Sequence, residues 1–129
     1  MPYECNYNPD LNTIEAATSD TANLTELIEM ARCIAELCSQ KKSANIMIDH
    51  SELDASLITI DEVKVLSGLP VAWKDVFTMR KCAHVVNNDL QFGLVRAWEI
   101  MVEINGVPNF SMMVFRNRDD AIEWLNPSS

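Results

Sequence analysis

The sequence predicts an α/β fold, a mixed and mostly parallel β-sheet led by an antiparallel N-terminal hairpin, with helices on its faces. Three observations predict it. First, Ile46-Met47-Ile48 lies between the polar turn Gln40-Lys41-Lys42-Ser43 and the polar group Asp49-His50-Ser51 with almost no polar alternation. A strand covered on both faces has this pattern, whereas a half-exposed strand alternates. Second, Cys82-Ala83-His84-Val85-Val86 repeats it, ending in Asn87-Asn88-Asp89. Third, segments of helical period stand between and after these runs, and strands alternating with helices imply parallel pairing through right-handed crossovers.

Each element follows from its own pattern. Tyr3, Cys5 and Tyr7 alternate with Glu4 and Asn6, the period of a strand with one wet face. Asn8-Pro9-Asp10 predicts a type I turn, with Pro9 presetting φ, and Leu11 to Thr18 returns as the second strand. Asn23 and Glu26 form a capping box before a helix whose apolar stripe is Leu24, Leu27, Ile28, Ala31, Ile34, Ala35 and Cys38. The buried strand through Ile46–Ile48 follows. Thr59 and Glu62 form a second capping box, for a short helix ending near Gly68, with Pro70 opening the next segment. Ala72 to Met79 fits another short helix or a packed loop holding Trp73, Val76 and Phe77.

After the second buried strand, Asn88 and Gln91 cap a helix that buries Leu94, Val95, Trp98, Met101 and Val102 and ends at Gly106. Arg96, Glu99 and Glu103 are expected on its opposite, solvated side as ion pairs. Gly93 near its start is expected to serve close helix packing, since a single glycine with no following Lys-Ser/Thr forms no phosphate loop. Phe110 to Phe115 is the last strand. Asn117 caps a final helix with Ala121, Ile122 and Leu125 on its apolar face.

The totals bound the function. A chain of 129 residues is expected to form one domain with its own core. Ten Lys and Arg against nineteen Asp and Glu give a net charge of −9, which argues against nucleic acid, whose phosphates need a concentrated basic surface. Cys5, Cys33, Cys38 and Cys82 show no CxxC spacing and read as reduced thiols of a cytoplasmic protein. The start, Met1-Pro2-Tyr3-Glu4-Cys5, lacks the basic-then-apolar pattern of a secretory signal, and no run reaches the ~20 apolar residues of a membrane span.

In parallel sheets ligands collect beyond the carboxyl ends of the strands. Asp49, His50 and Ser51, then Asn87, Asn88 and Asp89, then Arg116 and Arg118 occupy those ends and form the candidate ligand or partner site. Asp49, His50 and Ser51 are expected to terminate the strand; as consecutive residues they point in different directions and cannot form a triad. His84 is expected to be a hydrogen-bonded core histidine. No catalytic constellation, cofactor motif or metal-ligand spacing is evident. Met30, Met47, Met101, Met112 and Met113 could line an adaptable apolar pocket or fill a core.

The opening Met1–Glu4, Ile46-Met47-Ile48-Asp49, Phe92-Gly93-Leu94-Val95-Arg96 with Glu99, and above all Val114-Phe115-Arg116-Asn117-Arg118-Asp119-Asp120-Ala121-Ile122-Glu123-Trp124-Leu125 resemble the SpoIIAA-like, STAS-related family of small bacterial proteins. The resemblance implies a SpoIIAA-like fold, with an antiparallel leading strand and a (β/α) superhelical core. In the anti-anti-sigma relatives a serine at a helix start is phosphorylated, which makes Ser56 and Thr59 the corresponding candidates here. Leu53-Asp54-Ala55-Ser56-Leu57 lacks the glycine that follows the serine in those relatives. The leading expectation is a non-enzymatic cytoplasmic regulatory or protein-interaction module acting on a protein partner, with a homodimer compatible with the class. The alternative is a carrier or sensor of a small apolar or amphiphilic ligand, as in the CRAL-TRIO domains of the same fold neighbourhood. An enzyme of unnamed reaction is third.

Overall fold

The structure, a computed structural model, describes residues 2–127. Met1, the first residue of the opening segment noted above, lies outside the described residues. β1 (Tyr3–Asn8) and β2 (Thr13–Asp20) form the antiparallel hairpin. Asn8 Oδ1 accepts from the Asp10 backbone N–H at 3.0 Å, the side-chain turn expected there. α1 (Leu24–Gln40), β3 (Asn45–Leu53), α2 (Ile60–Ser67), α3 (Leu69–Ala72), α4 (Lys74–Phe77), β4 (Lys81–Val85), α5 (Asp89–Asn105), β5 (Ser111–Phe115) and α6 (Arg118–Leu125) follow. The five strands lie in the order β1-β2-β3-β4-β5, all parallel after the first pair. Strand order matching chain order means that each crossover advances one position along the sheet.

The two faces are unequal. Ile14, Ala16, Ile46, Ile48 and Cys82 point to one face and pack against α1 and the α2–α4 segment, with Tyr3, Cys5 and Tyr7 of β1 against the same cluster. Met47, Ala83 and Val85 point to the other, where Ala121 and Leu125 of α6 cover them. Both expected capping boxes form: Asn23 and Glu26 exchange bonds of 2.9 Å, and Thr59 accepts from the Glu62 N–H at 3.1 Å. Asn88 and Asn117 cap α5 and α6.

Several expectations are corrected. The second strand begins at Thr13 and runs to Asp20, because Asn12 adopts φ 46° and ends the turn later than the pattern suggested. β3 continues to Leu53, so Asp49, His50 and Ser51 lie within the strand and do not terminate it. Glu99 is fully buried. The buried line of α5 is Gln91, Val95, Glu99 and Val102, rotated from the expected stripe. Gly93 serves no close packing, since a Cβ there would meet nothing within 4 Å.

Arg80, just before β4, is 6% exposed and joins several elements. Its guanidinium donates to the carbonyls of Cys38 at 2.7 Å, Lys41 at 3.1 Å and Ala44, and its Nε donates to Val76 O. One cation therefore occupies carbonyls left open at the end of α1, in the turn before β3 and in α4, where a helix terminus lacks partners of its own.

Candidate ligand-binding site

A bulge sets the geometry of the site. β2 and β3 pair regularly up to Ala17 opposite Asp49, and then Ser19 lies opposite Glu52, so β3 carries one extra residue. In an unbroken strand residues three apart face opposite ways. The extra residue lets His50 and Leu53 both line the same side, as bulges beside sites commonly re-aim a side chain. It also sets His50 against β2, where its Nδ1 lies 2.7 Å from Oγ1 of the buried Thr18.

That side is the wall of a cavity of about 130 Å³ between the sheet and the helices. Ile48, His50 and Leu53 of β3 and Cys82 and His84 of β4 form its floor. Leu27, Met30 and Ile34 of α1, Val63 and Leu66 of α2, and Leu94, Val95 and Trp98 of α5 form the other walls, with Phe77 and Phe110 at one end. Among the described residues no Lys, Arg, Asp or Glu lines it. The rings of His50 and His84 stack with centroids 5.6 Å apart, and Trp98 meets His84 edge-on at 5.0 Å.

The polar groups of the lining are mostly engaged. Gln91 Nε2 donates to Leu53 O at 2.8 Å, and its Oε1 accepts from the Asn87 N–H at 2.6 Å, tying the α5 start to the end of β3. His84 differs: it is 4% exposed, and its Nδ1 has no hydrogen-bond partner among the described residues, contrary to the expectation of a satisfied core histidine. Burial lowers the pKa of His50 to about 4, against a smaller upward pull from Asp49. Burial, reinforced by His50, holds His84 well below its ordinary range. Burial, and then the charge of Glu99, pushes the Cys82 thiol well up. At neutral pH the chamber thus presents two neutral imidazoles and a protonated thiol, suited to hydrogen bonding and apolar contact.

The residues expected at the strand ends are only partly brought together. Asp89 and Arg116 meet at 3.0 Å on the surface, with the Arg116 guanidinium 4.6 Å over the Phe92 ring. Arg118 turns away to Glu15 of β2 at 3.1 Å. Asp49 bonds its own strand, its Oδ1 accepting from the Ser51 N–H at 2.8 Å, and faces the α6 side opposite His50. Asn87 and Asn88 shape the start of α5. Ser56 and Thr59 are exposed on the segment that supplies Ala55 and Ile58 to the chamber, and Thr59 is committed to its cap.

The sequence pattern sets His50 in a polar strand-end cluster; the structure instead stacks it on His84, places it against Thr18, and brings Gln91 into the same lining. One signal was available: His84 stands in the apolar run Cys82-Ala83-His84-Val85-Val86, at a position the pattern assigns to the interior. Among the described residues no group of three or more His, Cys, Asp or Glu is placed to hold a metal ion, and no helix is long and apolar enough to cross a membrane. No family model matches the chain, and no curated protein matches it.

Proposed function

We propose that the protein is a non-enzymatic binding module that takes a small, largely apolar ligand into the chamber between α1, α2, α5 and the sheet. The single observation that carries this reading is the cavity of about 130 Å³, apolar on nearly every side and containing a few placed polar groups. Binding sites for small molecules have this composition. An engineered apolar cavity of about 150 Å³ in another protein stays dry and holds benzene, so a ring-sized guest suits the space.

The resemblance to SpoIIAA-like, STAS-related proteins supports a regulatory use of such binding. Its implied topology, one antiparallel strand leading a (β/α) superhelix, agrees with sheet order following chain order. The leading role for a protein partner then becomes the output: a ligand that orders α2 and its preceding segment alters the surface around Ser56 and Thr59.

A ligand that binds only the folded chain raises Tm by mass action. Toluene, cyclohexane and 1-hexanol at increasing concentration should give a saturable rise for at least one of them. Organic extracts of protein purified from cells, read by mass spectrometry, should yield a stoichiometric small molecule if the site is filled in the cell. The absence of any saturable rise would remove the reading.

A further inference from the structure

Resting on that ligand-binding reading, we infer that the preferred guest is an uncharged, ring-sized alcohol of the phenol class whose hydroxyl bonds to Nδ1 of His84. Three observations converge on it.

The first is the unmatched atom. His84 is 4% exposed, lines the chamber, and has an Nδ1 with no partner. A buried polar atom without a bond is disfavoured relative to a satisfied one, so a guest that supplies the bond recovers that difference. A neutral imidazole carries one donor and one acceptor nitrogen. A hydroxyl can either donate or accept and therefore serves Nδ1 in whichever tautomer is present. A carbonyl or ether serves only one of them.

The second is charge. Among the described residues the lining holds no Lys, Arg, Asp or Glu, and the chain as a whole carries −9. A carboxylate or ammonium in that chamber would be a buried charge without a partner, the arrangement that low-dielectric interiors penalise most. Burial holds both imidazoles neutral, so neither provides a counter-charge for an anion.

The third is shape. About 130 Å³ is close to the size of the apolar cavity of about 150 Å³ that holds benzene, so it suits a single six-membered ring. Trp98, Phe77, Phe110 and the two stacked imidazoles supply faces and edges for an aromatic ring.

The test compares phenol, toluene and benzoate, titrated by NMR into the full chain at pH 7.5, for wild type and His84→Phe. Phenol loses more hydration than toluene on burial, so in a chamber without a partner it binds much the weaker of the two. The inference predicts that phenol binds wild type at least as tightly as toluene, that benzoate binds at least tenfold more weakly, and that His84→Phe lowers the phenol-to-toluene preference at least tenfold. In wild type, the His84 Nδ1 nitrogen resonance should move on phenol addition and stay in place with toluene, a readout that survives if the variant does not fold. Toluene binding with phenol excluded, an unmoved Nδ1 resonance under saturating phenol, or benzoate equal to phenol would overturn this inference while leaving the ligand-binding reading intact. Failure of all three compounds to bind would overturn both.

Discussion

Among the described residues Arg80 has no carboxylate hydrogen-bond partner; it bonds instead to carbonyls from α1, α4 and the turn before β3. Removing it strands several buried acceptors at once, and each costs on the order of 1–3 kcal/mol. Arg80→Met is therefore expected to lower unfolding free energy by about 3 kcal/mol or more in urea titrations, and Arg80→Lys, lacking the planar fork, to recover only part. Nothing in the local sequence distinguishes Arg80 from a surface residue, because its partners come from distant elements. Glu99 differs from its expected solvated place for another reason: spacing with Arg96 predicts an ion pair, and one forms at 2.5 Å, but spacing does not say that the carboxylate lies inside. These buried groups also set the pH response. His50 titrates near 4 in the fold and near 6.5 when unfolded, so the unfolded chain takes up its proton first as pH falls. The stability from its neutral form is full above pH 6.5 and is lost progressively toward pH 4, on the order of 3 kcal/mol, with His84 acting in the same direction. Glu99 acts oppositely. Burial raises its pKa from 4.5 despite Arg96, so its contribution is present at low pH and lost as pH rises through the raised value. Urea midpoints between pH 7.5 and 4.5 should fall toward acid, and fall more steeply in Glu99→Gln; a flat profile would contradict the neutral histidines.

At the scale of elements, local chemistry was readable wherever it is decided within a few residues. Both capping boxes, the Asn88 and Asn117 caps and the end of α5 at Gly106 follow from residue types at fixed offsets. The two glycines of α5 separate backbone need from mere tolerance. Gly106 holds φ 79°, where a side chain is disfavoured, so Gly106→Ala should cost about 1 kcal/mol. Gly93 lies in the helix with open space around it, so Gly93→Ala should stabilise by about 0.5–1 kcal/mol. Thermal unfolding of the two variants should move in opposite directions. The bulge in β3 was not readable. Its residues, Asp49-His50-Ser51-Glu52, resemble the close of a strand, and only pairing with β2 reveals that the strand goes on with one residue too many. That difference matters because it turns His50 inward.

Across the whole molecule, the alternation of apolar strands and amphipathic helices predicted the mixed sheet, its leading hairpin and the helices packed on it, because burial on each face is written into residue period. The methionine content allowed either an apolar pocket or a filled core, and Met30 does line the chamber, but its place and size were not legible for a physical reason: a void is the difference between the space the backbone encloses and the side chains that fill it, and no residue encodes that difference. Of the polar strand ends predicted from topology, Arg116 and Asp89 remain at the surface as an exposed pair of little energetic weight, while His50 lines the chamber. The functional reading therefore rests on the interior. A methyl-labelled NMR titration with toluene examines it most directly. Saturable shifts at Leu27, Met30, Ile34, Leu94 and Val95, with Met113 and Ile122 on the far face of the sheet unmoved, are the predicted result. Shifts that do not saturate, or that spread equally over both faces, would contradict it.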